Sequence, residues 1–231
     1  MRLKTTPHTV LSQAGGRRES ASLASLRLRA ALLVVSLLAY IPVALLAAWA
    51  ASSMLPAMAQ PEGKAPLADQ PELLKLMPVL FGVVFLLTII FFCCWIWRVA
   101  RTVRRLGITV LVERPGSAVL VFFLPVIWWW QPYTVVRTFW QVATDPNDWD
   151  NVAISQALPL WWTAWIGQWI ALLAGLGIEW AVMGPEKRFL ETSAMWIFAG
   201  CGVVSALCLL AIVLQTTAGL SRQLRNRQPV S

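Results

Sequence analysis

The sequence predicts an all-α polytopic membrane bundle, with four spanning helices and a proline-broken re-entrant or interfacial hairpin. Composition, the lengths of the apolar runs and the placement of basic residues lead to it. Of 231 residues, 58 % are hydrophobic and 13 % charged, whereas a soluble domain has about 45–50 % and about 25 %. Too few charges remain to cover a water-soluble globule of this size. A soluble α/β enzyme, a disordered chain and a disulfide scaffold do not fit.

A bilayer core of about 30 Å needs about 20 apolar residues in a helix. Residues 30–51, 76–97, 158–178 and 194–214 reach that length. A fifth apolar stretch, 117–130, is shorter and has Pro125 in its interior. It is short for a span, and the proline removes a helix hydrogen bond. Pro125 and Pro132 bracket Trp128, Trp129 and Trp130. The chain is therefore expected to dip in and return, or to lie along the interface, over 117–142. Tyr133, Arg137 and Trp140, at spacings of four and three, would share one face of a short interfacial helix. The bland reading of this hairpin is a structural plug; a lined ligand cavity is the alternative.

Loop charges set the threading. The segments before 30, from 98 to 157 and after 220 hold fifteen Lys/Arg, against four in the other two loops. Four spans put those fifteen on one side, with N and C termini cytoplasmic. Five spans would break the bias. The expected divisions are a disordered basic tail 1–29, a transmembrane domain 30–217 and a basic tail 218–231, in the cell (inner) membrane. Ala57-Met58-Ala59 resembles a signal-peptide cleavage site. The first apolar run, however, is as long as a full span and follows a long polar tail. The stretch 54–72 reads as an extracytoplasmic loop.

Chemistry-bearing residues are scarce. Cys93, Cys94, Cys201 and Cys208 lie in apolar runs with no CxxC pair, so they are read as buried small hydrophobes. His8 is the sole histidine. That removes HExxH metalloprotease sites, bis-histidine haem and a membrane Ser-His-Asp triad. No ionisable residue falls in mid-span, where transport or catalysis would normally place one. No cofactor and no metal are expected, and the chain is not read as an enzyme.

Four features remain. Arg98, Arg101, Arg104 and Arg105 continue the second helix with spacings that suit a shared face toward anionic lipid headgroups, or simply fix topology. Trp95 with Arg98, and Trp97 with Arg101, have cation–π spacing. No binding fold for nucleic acid accompanies the charges. Gly167, Ala171 and Gly175, with Gly202 and Ala206, form small-residue stripes for close helix packing or a homo-oligomer interface. Gln168 is the strongly polar side chain near mid-span, read as interhelical glue. Most tryptophans are read as belts: Trp49, Trp180 and Trp196 outside, and Trp95, Trp97, Trp161 and Trp162 inside. Trp161, Trp165 and Trp169 make a further stripe facing lipid or a groove.

The central segment carries an ordered set of motifs. These are Trp95-x-x-Arg98, Leu106-Gly107, Pro115-Gly116-x-Ala118-Val119, Phe123-x-Pro125, Pro132-Tyr133-x-x-Val136-Arg137-x-x-Trp140 and Leu160-Trp161-Trp162. The order resembles the bacterial family called domain of unknown function 4328, over roughly residues 78 to 215. Thr102 and Trp128 stand where the family pattern has asparagines. The resemblance implies a bacterial multi-pass membrane protein and supplies no activity. The leading expectation is a non-enzymatic membrane component working through helix–helix or lipid contacts, alone, as a homo-oligomer or with another membrane protein. A small-solute transporter or channel subunit is the alternative. A lipid-modifying or intramembrane enzyme ranks last, because no nucleophile–base pair, metal cluster or acidic dyad is present.

Overall fold

The computed structural model describes residues 7–58, 72–108, 115–124, 127–184 and 186–226. Within them the regular elements are helices: α1 (Pro7–Met58), α2 (Glu72–Arg105), α3 (Ser117–Leu120), α4 (Gln131–Thr144), α5 (Ala157–Ala181) and α6 (Glu186–Asn226). A single 3-10 turn, Trp149–Asn151, follows α4. Stretches Ala21–Ser53, Leu76–Arg105, Ala157–Ala181 and Glu186–Asn226 are long and apolar enough to cross a membrane. The expected all-α fold with four spanning helices is what the chain adopts.

Helix α1 shows how such a helix is built. Ser22, Leu26, Ala30, Leu33, Leu37, Tyr40, Ala44 and Ala48, three or four residues apart, are buried. The same helix exposes Leu28, Leu32, Val35, Leu38, Leu45, Leu46 and Trp49. Among the described residues, polar side chains such as Thr102, Gln141, Gln168 and Thr217 are buried within a largely apolar core, while many large aliphatic ones face outward. The outside differs from that of a soluble protein, where polar groups take the water-facing side and so many exposed large apolar side chains are rare. In hydrocarbon the outward aliphatics cost nothing, and the interior polar groups find partners on other helices.

The first helix corrects one expectation. Residues 1–29 read as a disordered tail, yet α1 begins at Pro7, and Ser22 and Leu26 are buried. The three-and-four spacing of the buried stripe runs back past the start of the apolar run. Composition hid it, because the positions between include Ala24, Ser25 and Arg27. At the other end α1 continues through Met58, and Ala59 lies outside the described residues.

The chain divides into two compact units. One takes α1 up to Leu33, then Phe91–Ile154, and α6 from Val213. In it α2 ends with Leu106 N donating to Thr102 O and Gly107 N to Arg104 O. Gly107 has φ +87°, the left-handed value that stops a helix and that glycine adopts without steric cost. After α3 the chain turns into α4, which Pro132 opens near its first turn, where a missing N–H costs nothing. Phe122 meets Phe92 of α2 edge-on at 5.1 Å. The 117–124 segment therefore packs beside α2 where that helix is still apolar, before its first arginine.

The other unit takes Val34–Ile90 and Ser155–Ile212. A short turn containing Gly184 links α5 to α6. Lys187 closes it, its Nζ donating to Glu179 O at 3.1 Å near the negative end of α5. A Cβ on Gly167 would sit 3.2 Å from Cys201 Sγ, and one on Gly175 3.6 Å from Ala194 Cβ. These pairs run in opposite chain order, so α5 and α6 are antiparallel neighbours.

Candidate functional site

The arginines of α2 do not share one face toward the surroundings. Arg101, Arg104 and Arg105 are exposed, but Arg98 is only 6 % exposed. Its Nη2 donates to Ser22 O and to Ser22 Oγ, both at 2.6 Å. Arg105 Nη1 reaches the same hydroxyl at 2.7 Å. Two guanidinium groups thus converge on one serine of α1. Burying a charge costs several kcal/mol, and each charge-assisted hydrogen bond returns about 1.5–3 kcal/mol. Arg98 Nε is buried without a hydrogen-bond partner among the described residues.

Trp97 lies beside them. The Arg29 guanidinium stands 5.0 Å from its ring centroid and that of Arg101 4.8 Å. Arg29 Nη1 also donates to Cys94 O at 3.1 Å. The spacing expectation is met for Trp97 and Arg101. Trp95 departs from it: this indole is fully buried, and its Nε1 donates to Thr217 Oγ1 of α6 at 3.1 Å. Arg98 turns to Ser22 instead. Trp95 and Trp161 are core residues rather than belt anchors, because the bundle itself supplies an indole partner or a packed slot. Trp49, Trp180 and Trp196 are exposed, and Trp97 and Trp162 half-buried.

Helix α4 buries Pro132, Val135, Val136, Phe139 and Val142, and leaves Tyr133, Arg137 and Trp140 half-buried on the other side. That second group is the predicted face. Trp140 Nε1 donates to Gln215 Oε1 at 2.8 Å, so the face is tied to α6 at one end. Trp128 and Trp129 pack edge-on at 5.6 Å, and Trp129 and Trp130 are about half exposed. Pro125 lies outside the described residues.

In the second unit, Gln168 Nε2 donates to Tyr40 Oη at 3.0 Å, with both residues buried. A Cβ on Gly202 would collide with the Tyr40 hydroxyl and stand 3.4 Å from Gln168 Cδ. The small-residue position is what admits the polar pair. Ala171 and Ala206 are also buried. Phe81 and Phe85 pack against the Tyr40 ring at 5.9 and 6.3 Å. Of the tryptophan stripe expected on α5, Trp165 and Trp169 meet, while Trp162 takes the place of Trp161 against Trp165. Trp162 stacks on Trp165 at 4.9 Å, and Trp165 meets Trp169 at 6.2 Å. The cysteines are not buried as expected: Cys94 is exposed and the rest are half-buried free thiols. In a span, exposure means lipid, which suits a thiol.

Sequence reasoning missed Ser22, Tyr40, Gly219 and Gln223. Gln223 Nε2 donates to Val142 O and Ala143 O at 2.8 and 3.0 Å, taking up carbonyls left open at the end of α4. Gly219 lets that end approach, since a Cβ there would strike the Ala143 carbonyl. The signal was available: Gln215, Gly219 and Gln223 recur every four residues past the apolar run. Among the described residues, no group of three or more His, Cys, Asp or Glu is placed to hold a metal ion.

A helical bundle with apolar outward faces, polar interhelical contacts and, among the described residues, four helices long and apolar enough to cross a membrane is a multi-pass membrane protein. Residues 60–218 match the family described as Domain of unknown function (DUF4328). The chain belongs to that family. No curated protein and no solved structure matches it. The matched region begins after the end of α1, so Ser22, Arg29 and Tyr40 lie outside it.

Proposed function

We propose that the protein is a non-enzymatic component of the cell membrane, with both termini cytoplasmic, acting through helix–helix or lipid contacts. The apolar outward surface of the bundle carries this reading. Its interior polar groups join helix to helix, as in Tyr40–Gln168 and Trp95–Thr217. Its outward surface is aliphatic, as at Val79, Val83 and Leu86 of α2 and Ile170 and Leu173 of α5. Such faces pack against lipid or other spanning helices. Crosslinking in native membranes, followed by mass spectrometry, tests it. A self-crosslinked oligomer or a reproducible membrane partner is expected; a lone monomer without partners contradicts the helix-contact role.

One observation favours a small-solute transporter or channel subunit as the second reading. Arg98 Nε, Arg137 Nε, Thr216 Oγ1, Ser221 Oγ and Gln223 Oε1 are all buried without a hydrogen-bond partner among the described residues. All belong to the unit that holds α4. Interior polar groups of this kind are normally met by water, and a wet interior suits a solute path. Flux in liposomes that falls when Gln168 or Pro125 is replaced supports this reading. No flux across a broad solute panel removes it.

A further inference from the structure

The seam between α1 and α2 gathers Arg29, Arg98 and Arg101. Arg29, Arg98 and Arg101 form no ion pair among the described residues, where Lys187–Glu191 is the pair seen. Arg29 and Arg101 lie over one indole. Their guanidinium carbons are no more than about 10 Å apart, the two centroid distances laid end to end. Arg98 adds a buried charge one turn from Arg101. Like charges held this close repel, and a shared anion relieves the repulsion.

The chemistry of the three side chains names the anion. A guanidinium presents a planar fork of five N–H donors, matched to a phosphate group. Arg29 commits one nitrogen to Cys94 O and keeps others for a ligand. Trp97 is half-buried beside Arg29 and Arg101. An indole in that setting has an apolar body for a glycerol or acyl region and an N–H for the headgroup. We propose that Arg29, Trp97 and Arg101 clamp one phosphate group, supplied by an anionic phospholipid at the end of the second span. The proposal rests on α2 crossing the bilayer, and it goes beyond general contact with lipid by fixing one stoichiometric site.

Native mass spectrometry of the purified full-length chain tests it. The probes are phosphatidylglycerol, phosphatidylcholine and inorganic phosphate, titrated separately. The wild type is expected to retain one phosphatidylglycerol in preference to phosphatidylcholine. Arg29→Gln with Arg101→Gln is expected to weaken that binding about 30-fold, two basic side chains at ~1 kcal/mol each. Trp97→Leu is expected to weaken it less. A control pair, Arg188→Gln with Arg222→Gln, removes the same charge from exposed positions elsewhere and is expected to leave the preference in place. Unchanged elution and helical circular dichroism establish that each variant folds. Equal loss in the control pair, or no preference in the wild type, overturns the clamp. Inorganic phosphate binding as tightly as the lipid, with the same loss in the double variant, keeps the clamp and overturns phospholipid as its source. Crosslinking that finds a lone monomer sinks the helix-contact role without touching this measurement, so the two fail separately.

Discussion

Replacing Gly219 by alanine sets two effects against each other in one helix. Alanine is favoured over glycine in a helix interior by about 0.8–1.0 kcal/mol. At Gly219, however, the new methyl would meet the Ala143 carbonyl carbon at 2.9 Å and Ala143 Cβ at 3.2 Å, with the carbonyl oxygen nearer still. That neighbour is backbone near the end of α4 and cannot rotate away. Overpacking of this kind costs typically about 1–3 kcal/mol. The shift also draws Val142 and Ala143 away from Gln223. Those two terms leave a loss of ~0–2 kcal/mol, and the weakened Gln223 hydrogen bonds add about 0.5–1.5 kcal/mol, so a net loss of ~1–2 kcal/mol is expected. Gly200 supplies the internal control. It lies in the same helix and a Cβ there meets nothing within 4 Å, so only the propensity gain applies. Thermal unfolding in one detergent should place Gly219→Ala below the wild type by about 2–8 °C, at ~2–4 °C per kcal/mol for a chain of this size. Gly200→Ala should lie at or above it. Stability of Gly219→Ala at or above the wild type would refute the close approach of α4 to α6.

Further outcomes follow from the same contacts. Tyr40→Phe and Gln168→Leu each remove one side of a buried hydrogen bond, which within membranes is worth about 0.6 kcal/mol on average. A double-mutant cycle on unfolding should show coupling of that order, and strict additivity would mean the bond is not formed. Ser22→Ala deletes a hydroxyl that accepts from Arg98 and Arg105. It should cost ~1.5–3 kcal/mol, as for a hydrogen bond to a charged group. Ser53→Ala, in the same helix, removes an exposed hydroxyl that bonds only back to Trp49 O, and should be close to neutral; thermal unfolding compares the two. Gln223→Leu should release the α4 carbonyls and quicken amide exchange at Asp145, whose N–H bonds Gln141 O, leaving α5 unaltered. Equal exchange throughout would show that Gln223 does not cap α4.

Much of the architecture was legible because hydrocarbon imposes a simple rule. Every backbone group must be paired within the span, so a long uncharged run can hardly be anything but a helix. The antiparallel packing of α5 and α6 followed from a short link and small residues at spacing four. Partnering was harder to read. Arg98 looks like its neighbours in sequence; only the approach of α1 shows that it turns inward to Ser22. Trp95 and Trp97 are two residues apart on one helix, yet one is core and the other half-buried, a difference set by which neighbour each meets. Ser22 was lost because serine and arginine between buried positions imitate the composition of a disordered tail. Gly219 and Gln223 lie beyond the apolar run, where attention to hydropathy stops.

Labelling engineered cysteines with a membrane-impermeant maleimide tests the central claim most directly. The positions are Asp148→Cys, after α4, and Gly184→Cys, between α5 and α6. Thiol labelling needs water, so Cys94, exposed within a span, should stay silent. The threading predicts that Gly184→Cys reacts in intact cells and Asp148→Cys only after permeabilisation. Labelling of both positions from outside, or of neither until the cells are opened, would contradict a chain whose helices cross the bilayer with arginine-rich segments held on the cytoplasmic side.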